Sequence, residues 1–110
     1  MNYSVIIEPP AATDIDEACH WIGERSPVAE ANWFHGVMAA IESLADYPTR
    51  CAPAPEAEEF DTPIRHLLFG RSKHKYRIIF TVVDNNVHVL HIRHGAREPL
   101  SPSPDKNDVP

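Results

Sequence analysis

The sequence predicts an α+β domain in which an N-terminal strand and an antiparallel helical hairpin precede a three-stranded antiparallel sheet, in the order β-α-α-β-β-β. An alternation of apolar and polar residues opens the chain, and a helical period then replaces it. The second half returns to runs rich in β-branched and aromatic residues. We expect one domain over residues 1–100, followed by a flexible tail over residues 101–110, which is poor in apolar side chains.

The first three elements are predicted from changes of period. The first strand covers YSVIIE (3–8), and Pro9 and Pro10 should end it because proline has no N–H for a strand ladder. An amphipathic helix follows, with Thr13 as its expected N-terminal cap. Ser26, followed by Pro27, is expected to start a second helix that runs to about Asp46. Its apolar stripe consists of Trp33, Phe34, Val37, Met38, Ile41 and Leu44.

A proline-rich, acidic connector without periodicity separates the helices from the remaining strands. It covers residues 47–63 and is long for a compact domain, so we expect an exposed loop that faces a partner. Three strands follow over residues 64–70, 75–84 and 86–94, as predicted from their β-branched and aromatic content.

The register of the last two strands depends on the turn between them. A two-residue turn at Asn85 and Asn86 suits the required positive φ angles. It would pair residues whose numbers sum to 171, so that Arg77 lies beside His94 on one face of the sheet.

Charge is divided unevenly along a chain whose net charge is −6. Residues 1–61 contain twelve Asp or Glu and two Lys or Arg, whereas residues 62–97 contain seven Lys or Arg, five His and one acid. This division predicts a local surface that attracts anions on a protein that is acidic as a whole.

Three histidines recur at intervals of three in VHVLHIRHGARE (87–98): His88, His91 and His94. The alternatives are a metal site, an RNA-cleaving site or a solvated strand end. Because strand side chains alternate between faces, His88 and His94 should lie on one face and His91 on the other. Residues six apart along a strand are also separated by about 20 Å at ~3.3 Å per residue. Because zinc ligands lie about 2 Å from the metal, we predict neither a metal nor another cofactor.

The predicted register instead gathers Arg77 and His94, with Arg97 just beyond Gly95. Arginine binds phosphate through paired hydrogen bonds and histidine transfers protons near neutral pH, so these three are candidate catalytic residues. The other cations of this half are candidates for binding nucleic acid or another anion: Arg65, Arg71, Lys73, Lys75 and Arg93. The alternative is that all of them are merely solvated at the end of a strand.

No apolar stretch approaches the roughly 20 residues of a membrane span. The N-terminus also lacks the basic flank of a secretory signal. We therefore expect a cytoplasmic protein without a membrane partner. Cys19 and Cys51 are expected to be free thiols without a function, because two cysteines make no disulfide framework.

Over roughly residues 3–100 the chain resembles the RelE/ParE superfamily, the toxins of bacterial type II toxin–antitoxin modules. The segments that carry the resemblance are AATDIDEACHWIGERSPVAEANWF, AIESLADYP, IRHLLFG, KYRIIFTVVDNNVHVL and IRHGARE. It implies a RelE-like fold and a growth-inhibiting toxin, of the kind associated with plasmid stabilisation. It also implies a cognate antitoxin, with a homodimer or a toxin–antitoxin hetero-oligomer as the assembly.

The resemblance leaves the target open. RelE-like members are metal-independent endoribonucleases (mRNA interferases) that cleave mRNA in the ribosomal A site, whereas ParE-like members inhibit DNA gyrase and do not cleave. A third alternative is a degenerate member that only binds an antitoxin. For cleavage, the resemblance assigns Arg77 and Arg97 to the phosphate and its developing charge. A lysine pair and a tyrosine of RelE have Leu68, Gly70 and Ser103 at the matching positions, so proton transfer would fall to His94.

Overall fold

One mixed sheet of four strands organises the computed structural model, which describes residues 2–57, 61–70 and 75–94. Its elements are β1 (Ser4–Ile7), α1 (Pro9–Gly23), α2 (Pro27–Glu42), β2 (Arg65–Phe69), β3 (Tyr76–Val83) and β4 (Asn86–His94). The strand order is β1-β4-β3-β2, with β1 parallel to β4 and the other pairs antiparallel. The predicted α+β class and the β-α-α-β-β-β order are confirmed, and the N-terminal strand joins the sheet beside the last one.

Helix α1 begins earlier than predicted. Pro9 and Pro10 occupy its first turn and Glu8 is the N-cap, without a side-chain capping bond. Proline is tolerated there because the first amides of a helix have no intrahelical acceptor and its φ angle is already helical. The prolines therefore end β1 and start α1 together, and Thr13 lies inside the helix instead of capping it.

Helix α2 begins where the sequence predicts. The hydroxyl of Ser26 accepts a hydrogen bond from the amide of Ala29 at 3.1 Å, and Pro27 is the first helical residue. The helix ends at Glu42, and two 3₁₀ turns continue the chain over Ser43–Ala45 and Pro48–Arg50. Most of the predicted apolar stripe packs inward, but Phe34 remains 41% exposed.

The main core lies between the helical hairpin and one face of the sheet. Its buried members include Ala11, Ile15, Cys19, Val37, Ile41, Leu44, Ile78, Phe80, Val87, Val89 and Ile92. Side chains alternate along a strand, so Ile78 and Phe80 of β3 face the helices while Arg77 and Ile79 face the opposite side.

Part of the connector covers that opposite side, so the expected exposed loop is exposed over most of its described residues but is anchored through buried ones, among them Ala54 and Glu56. Ala54 and Ile64 pack on Ile79 in a second, smaller core. The amide of Ala54 donates to the carbonyl of Ile64 at 2.9 Å, and the amide of His66 donates to the carbonyl of Ala52 at 3.1 Å. The connector thus adds short edge pairing to β2, with backbone polar groups satisfied by the strand.

The hairpin of β3 and β4 turns one residue earlier than predicted. Asp84 takes the positive φ angle, 56°, and Val83 pairs with Asn86. The register then shifts at Ile79 and Phe80, where β4 carries one extra residue as a β-bulge. As a result Arg77 pairs with Arg93, not with His94.

Among the residues that the structure describes, no helix is long and apolar enough to cross a membrane.

Candidate functional site

The guanidinium of Arg77 lies under the connector, on the sheet face away from the helices. Its Nη1 donates to Glu56 Oε1 at 3.1 Å, and its Nη2 donates to Glu56 Oε2 at 2.5 Å. The Arg77 residue is 9% exposed and Glu56 is 1% exposed. A buried charge is stable only when it is paired and hydrogen-bonded, and this two-bond geometry provides both.

A histidine completes this buried group. The Nδ1 atom of His66 lies 3.3 Å from Nη1 of Arg77. Burial lowers the pKa of His66, and the neighbouring positive charge of Arg77 lowers that pKa further, although Glu56 opposes the shift. A neutral imidazole with Nδ1 as acceptor suits a guanidinium that donates to it.

Glu56 and His66 were not predicted as site residues. Glu56 is one of three acids in the stretch 56–59, and composition does not distinguish it from the others. The alternation of prolines in residues 53–56 could have indicated that Glu56 is buried. Pro53 and Pro55 alternate with Ala54 and Glu56, the prolines being exposed and the other two buried. This is the period of an edge strand, in which proline is tolerated on positions that face solvent.

Of the other predicted anion-binding residues, the three that the structure describes do not form one open surface. Arg93 is the cross-strand partner of Arg77 and is 7% exposed. Arg65 is half-buried and donates to the carbonyl of Cys51 at 2.6 Å, which fixes the start of the connector. Lys75 is exposed just before β3. Arg71, Lys73 and Arg97 lie outside the described residues.

His94 lies on the helix side of the sheet, so the predicted pairing with Arg77 was wrong. It is the cross-strand partner of Tyr76, and the two rings meet edge to face with centroids 5.0 Å apart. The Tyr76 ring also meets the ring of Trp33, at 5.1 Å. The one extra residue of the bulge in β4 moves His94 to the face opposite Arg77, whereas the earlier turn changes only which residues pair.

The other two histidines of the triplet each lie beside a carboxylate. Nδ1 of His88 is 2.7 Å from Oε2 of Glu8, at the end of β1. Nδ1 of His91 is 3.0 Å from Oδ2 of Asp14, and the same oxygen accepts the amide of Ile92 at 2.9 Å. These contacts connect β4 to the chain around α1. Because β4 bulges between them, His88 and His94 occupy opposite faces, not the common face that was predicted.

Both cysteines are free and buried. Burial raises the pKa of the Cys19 thiol, and the nearby carboxylates of Glu30 and Asp16 raise it further. Burial also raises the pKa of the Cys51 thiol, although Arg50 and Arg65 act in the opposite direction. Such thiols are protonated at neutral pH and are poor nucleophiles.

The described part of the site is therefore a closed ionic group rather than an open cationic surface. Glu56, Arg77 and His66 satisfy one another beneath the connector, whereas a phosphate-binding arginine must present its guanidinium to the ligand. This arrangement suits the anchoring of a connector to a sheet.

Comparison with known proteins gives three similarities. The family model described as "ParE toxin of type II toxin-antitoxin system, parDE" matches residues 5–99. Toxin RelE1 of Caulobacter vibrioides is 30% identical over 99 residues, which cover 89% of this chain and 99% of that protein. The structure titled "Chromosomal ParDE TA system from P. aeruginosa" superposes with a TM-score of 0.65 at 19% identity, over 84% of this chain and 95% of the other. The last similarity concerns the fold alone.

Proposed function

Because the chain belongs to the RelE/ParE superfamily of toxins from type II toxin–antitoxin systems, we propose that it arrests growth without cutting RNA, as an inhibitor of DNA gyrase. An antitoxin partner follows from the family. The gyrase target, a cytoplasmic location and a toxin–antitoxin hetero-oligomer are parts of this proposal.

The position of Arg77 is the observation that carries the proposal. Cleavage of RNA by attack of the ribose 2′-OH on the adjacent phosphate, with the 5′-oxygen of the next nucleotide leaving, requires fixed cations at the phosphate and a proton-transfer group beside it. Arg77 is bonded to Glu56 and His66 under the connector. His94, the candidate acid or base, lies on the other face of the sheet. This separation favours the branch of the superfamily that has no cleavage chemistry.

The family model supports the same branch, since its description is that of a ParE toxin and it spans residues 5–99. The resemblance to ParE-like members implies DNA gyrase as the target. Inhibition would then depend on surface complementarity and would need no assembled catalytic group.

Ribosome-dependent mRNA cleavage is the alternative prediction. It would require Glu56 to leave Arg77, and it would require Arg97, outside the described residues, to supply the second cation. On the Arg77 face, proton transfer would then fall to His66, whose Nδ1 lies 3.3 Å from Nη1 of Arg77, instead of the predicted His94.

Two assays on one purified toxin separate these functions. We expect the protein to inhibit supercoiling by gyrase and to leave mRNA intact on programmed ribosomes. In growing bacteria, induction should change DNA supercoiling and produce gyrase-linked breaks while transcripts stay whole. New mRNA ends within coding regions, together with unaffected gyrase, would overturn the proposal.

A matched variant tests the mechanism independently of the target. His94→Gln removes the proton-transfer group while keeping a planar side chain against Tyr76. We expect full toxicity and unchanged gyrase inhibition. Loss of toxicity in a variant that remains folded by circular dichroism would favour the nuclease.

A further inference from the structure

The short segment 52–57, here called the strap, delivers a single carboxylate to the sheet. Its Ala54 and Glu56 are buried, and the carboxylate of Glu56 receives two hydrogen bonds from Arg77. Glu56 is 1% exposed, and the guanidinium of Arg77 binds its carboxylate in the way it would bind an external carboxylate ligand.

The strap has few other described attachments to the sheet. Two backbone hydrogen bonds connect it to β2 and the residue before that strand, through Ala54 and Ala52. The small side chain of Ala54 contributes apolar contact with Ile64 and Ile79. Breaking a buried ion pair is costly, whereas two backbone bonds at a sheet edge contribute little. Of these described contacts, the ion pair is therefore the most costly to break when the strap opens.

The surface beneath the strap has the composition of a carboxylate pocket. Arg77 offers a planar pair of donors, and Arg93 adds a second buried guanidinium across the strand pair on the same face. His66 sits 3.3 Å from Arg77 and limits the directions in which that guanidinium can turn. If the strap moved away, Arg77 would retain a buried charge that requires a new anion.

We propose that the strap is an autoinhibitory contact, in which Glu56 fills a pocket of Arg77 and His66 that binds an external carboxylate once Glu56 withdraws. A carboxylate is the favoured class because the pocket is already shaped around one. The natural occupant is then an acidic side chain of a protein partner. This inference does not depend on which cellular target the toxin inhibits.

Because Glu56 is tethered beside its site, we expect it to outcompete external anions at ordinary concentrations. A group on a short tether has an effective concentration of about millimolar or above at its own site. Removing the Glu56 carboxylate removes this competitor and leaves the pocket in place.

The test compares Glu56→Ala with Glu24→Ala at constant ionic strength. Both variants lose one negative charge, but Glu24 is on the surface with a side chain that is 62% exposed. Acetate is titrated against sodium chloride and inorganic phosphate, with binding followed by the chemical shifts of Arg77 and His66. We expect saturable acetate binding to Glu56→Ala at least about tenfold tighter than to wild type or Glu24→Ala, as removal of the tethered competitor requires.

Hydrogen exchange in the wild-type protein provides a second measurement, which needs no folded variant. The amides of Ala54 and His66 exchange only when the strap opens and their hydrogen bonds break. Acetate should bind Arg77 in this open state, increase its population and thereby accelerate exchange at both amides. Amides in the centre of β4, such as Val89, should not change. At acetate ten times its dissociation constant for the open pocket, acceleration should reach about tenfold, since the open population grows as one plus that ratio.

Each outcome decides the proposal. Saturable acetate binding by Glu56→Ala together with selective acceleration of the wild-type strap amides supports it, and the exchange result decides alone if Glu56→Ala does not fold. Binding of phosphate without binding of acetate would overturn the carboxylate pocket. If Glu56→Ala is folded but binds no acetate, or if acetate leaves the strap amides unchanged, the strap is a fixed structural element. None of these results depends on gyrase or ribosome assays.

Discussion

At the scale of single residues, Arg77 shows how a partner determines what a charged side chain can do. Its sequence context, KYRIIF, resembles that of a phosphate-binding arginine, and the sequence correctly places it in a strand. Its actual partner, Glu56, is 21 residues away in the proline-rich connector, where a short alternation over residues 53–56 indicates burial of Glu56 but not what it contacts. The partner of Arg77 is set by tertiary packing, which local pattern does not encode.

The Glu56–Arg77 pair should contribute strongly to stability. Glu56→Gln and Arg77→Gln each leave one buried charge without its counter-ion, so each should lower the free energy of unfolding by about 3–5 kcal/mol. The double variant should cost less than the sum, because neither charge then remains. Urea unfolding of all four proteins measures this. Arg25→Gln is the control, since Arg25 stacks on the exposed ring of Trp21 and should matter little. Additive losses would contradict a direct pair.

His66 gives the protein a predictable pH dependence. Its pKa in the fold is below the ordinary value of 6.5, chiefly because of burial and then Arg77. Between the two pKa values the unfolded chain binds more protons, so the free energy of unfolding falls as the pH drops through 6.5 and towards the lower folded value. His66→Gln should reduce this slope, as measured by urea unfolding between pH 5 and 8. His20→Gln should not, because the His20 side chain is 79% exposed. Equal slopes in all three proteins would remove His66 from the explanation.

At the scale of elements, local pattern predicts that β3 and β4 form a hairpin, but it does not predict which of their residues pair. Both strands and a two-residue turn were expected and are present. Asp84 and Asn85 make the turn instead of Asn85 and Asn86, because Asp also tolerates a positive φ angle. The β-bulge then shifts the pairing register of β3 and β4 a second time. One carboxylate, Asp14 on α1, accepts the amide of Ile92 from 78 residues away. Nothing in the local sequence of β4 indicates that the Ile92 amide bonds to Asp14.

Asp14 should stabilise the bulged end of β4. Its Oδ2 lies within hydrogen-bonding distance of both the Ile92 amide and the His91 ring. Asp14→Ala should lower the free energy of unfolding by about 1.5–3 kcal/mol, the usual contribution of a hydrogen bond to a charged group. Exchange of the Ile92 amide should accelerate as well. Asp16→Ala is the matched control, because Asp16 is exposed on the same helix and should have little effect. If the two variants lose equal stability, the contacts to β4 do not account for the role of Asp14.

At the scale of the whole molecule, folding partly cancels the charge division of the sequence. The acidic first half supplies Glu8, Asp14 and Glu56, and the basic second half supplies their partners His88, His91 and Arg77. Charge counting predicted a basic surface, but it could not show which cations would meet acids of the same chain. Lys75 remains exposed, while Arg77 and Arg93 are buried. Arg77 and Arg93 therefore lie in the predicted strands, but they are buried where the charge pattern predicted a surface that attracts anions.

We expect the cations of the 71–75 stretch to attract an acidic segment of the antitoxin that the family implies. The sequence concentrates them at 71–75, where Arg71 and Lys73 precede the exposed Lys75. Reversing these three to Glu should weaken antitoxin binding at least about tenfold at low salt, because complementary charges speed association and reject like charges. The defect should shrink as salt rises, since the screening length falls from about 30 Å at 0.01 M to about 8 Å at 0.15 M. Titration calorimetry across this salt range measures both effects, with Arg25→Glu as the control away from the basic stretch. An affinity that is unchanged at low salt, or lost equally at every salt concentration, would exclude electrostatic guidance by this stretch.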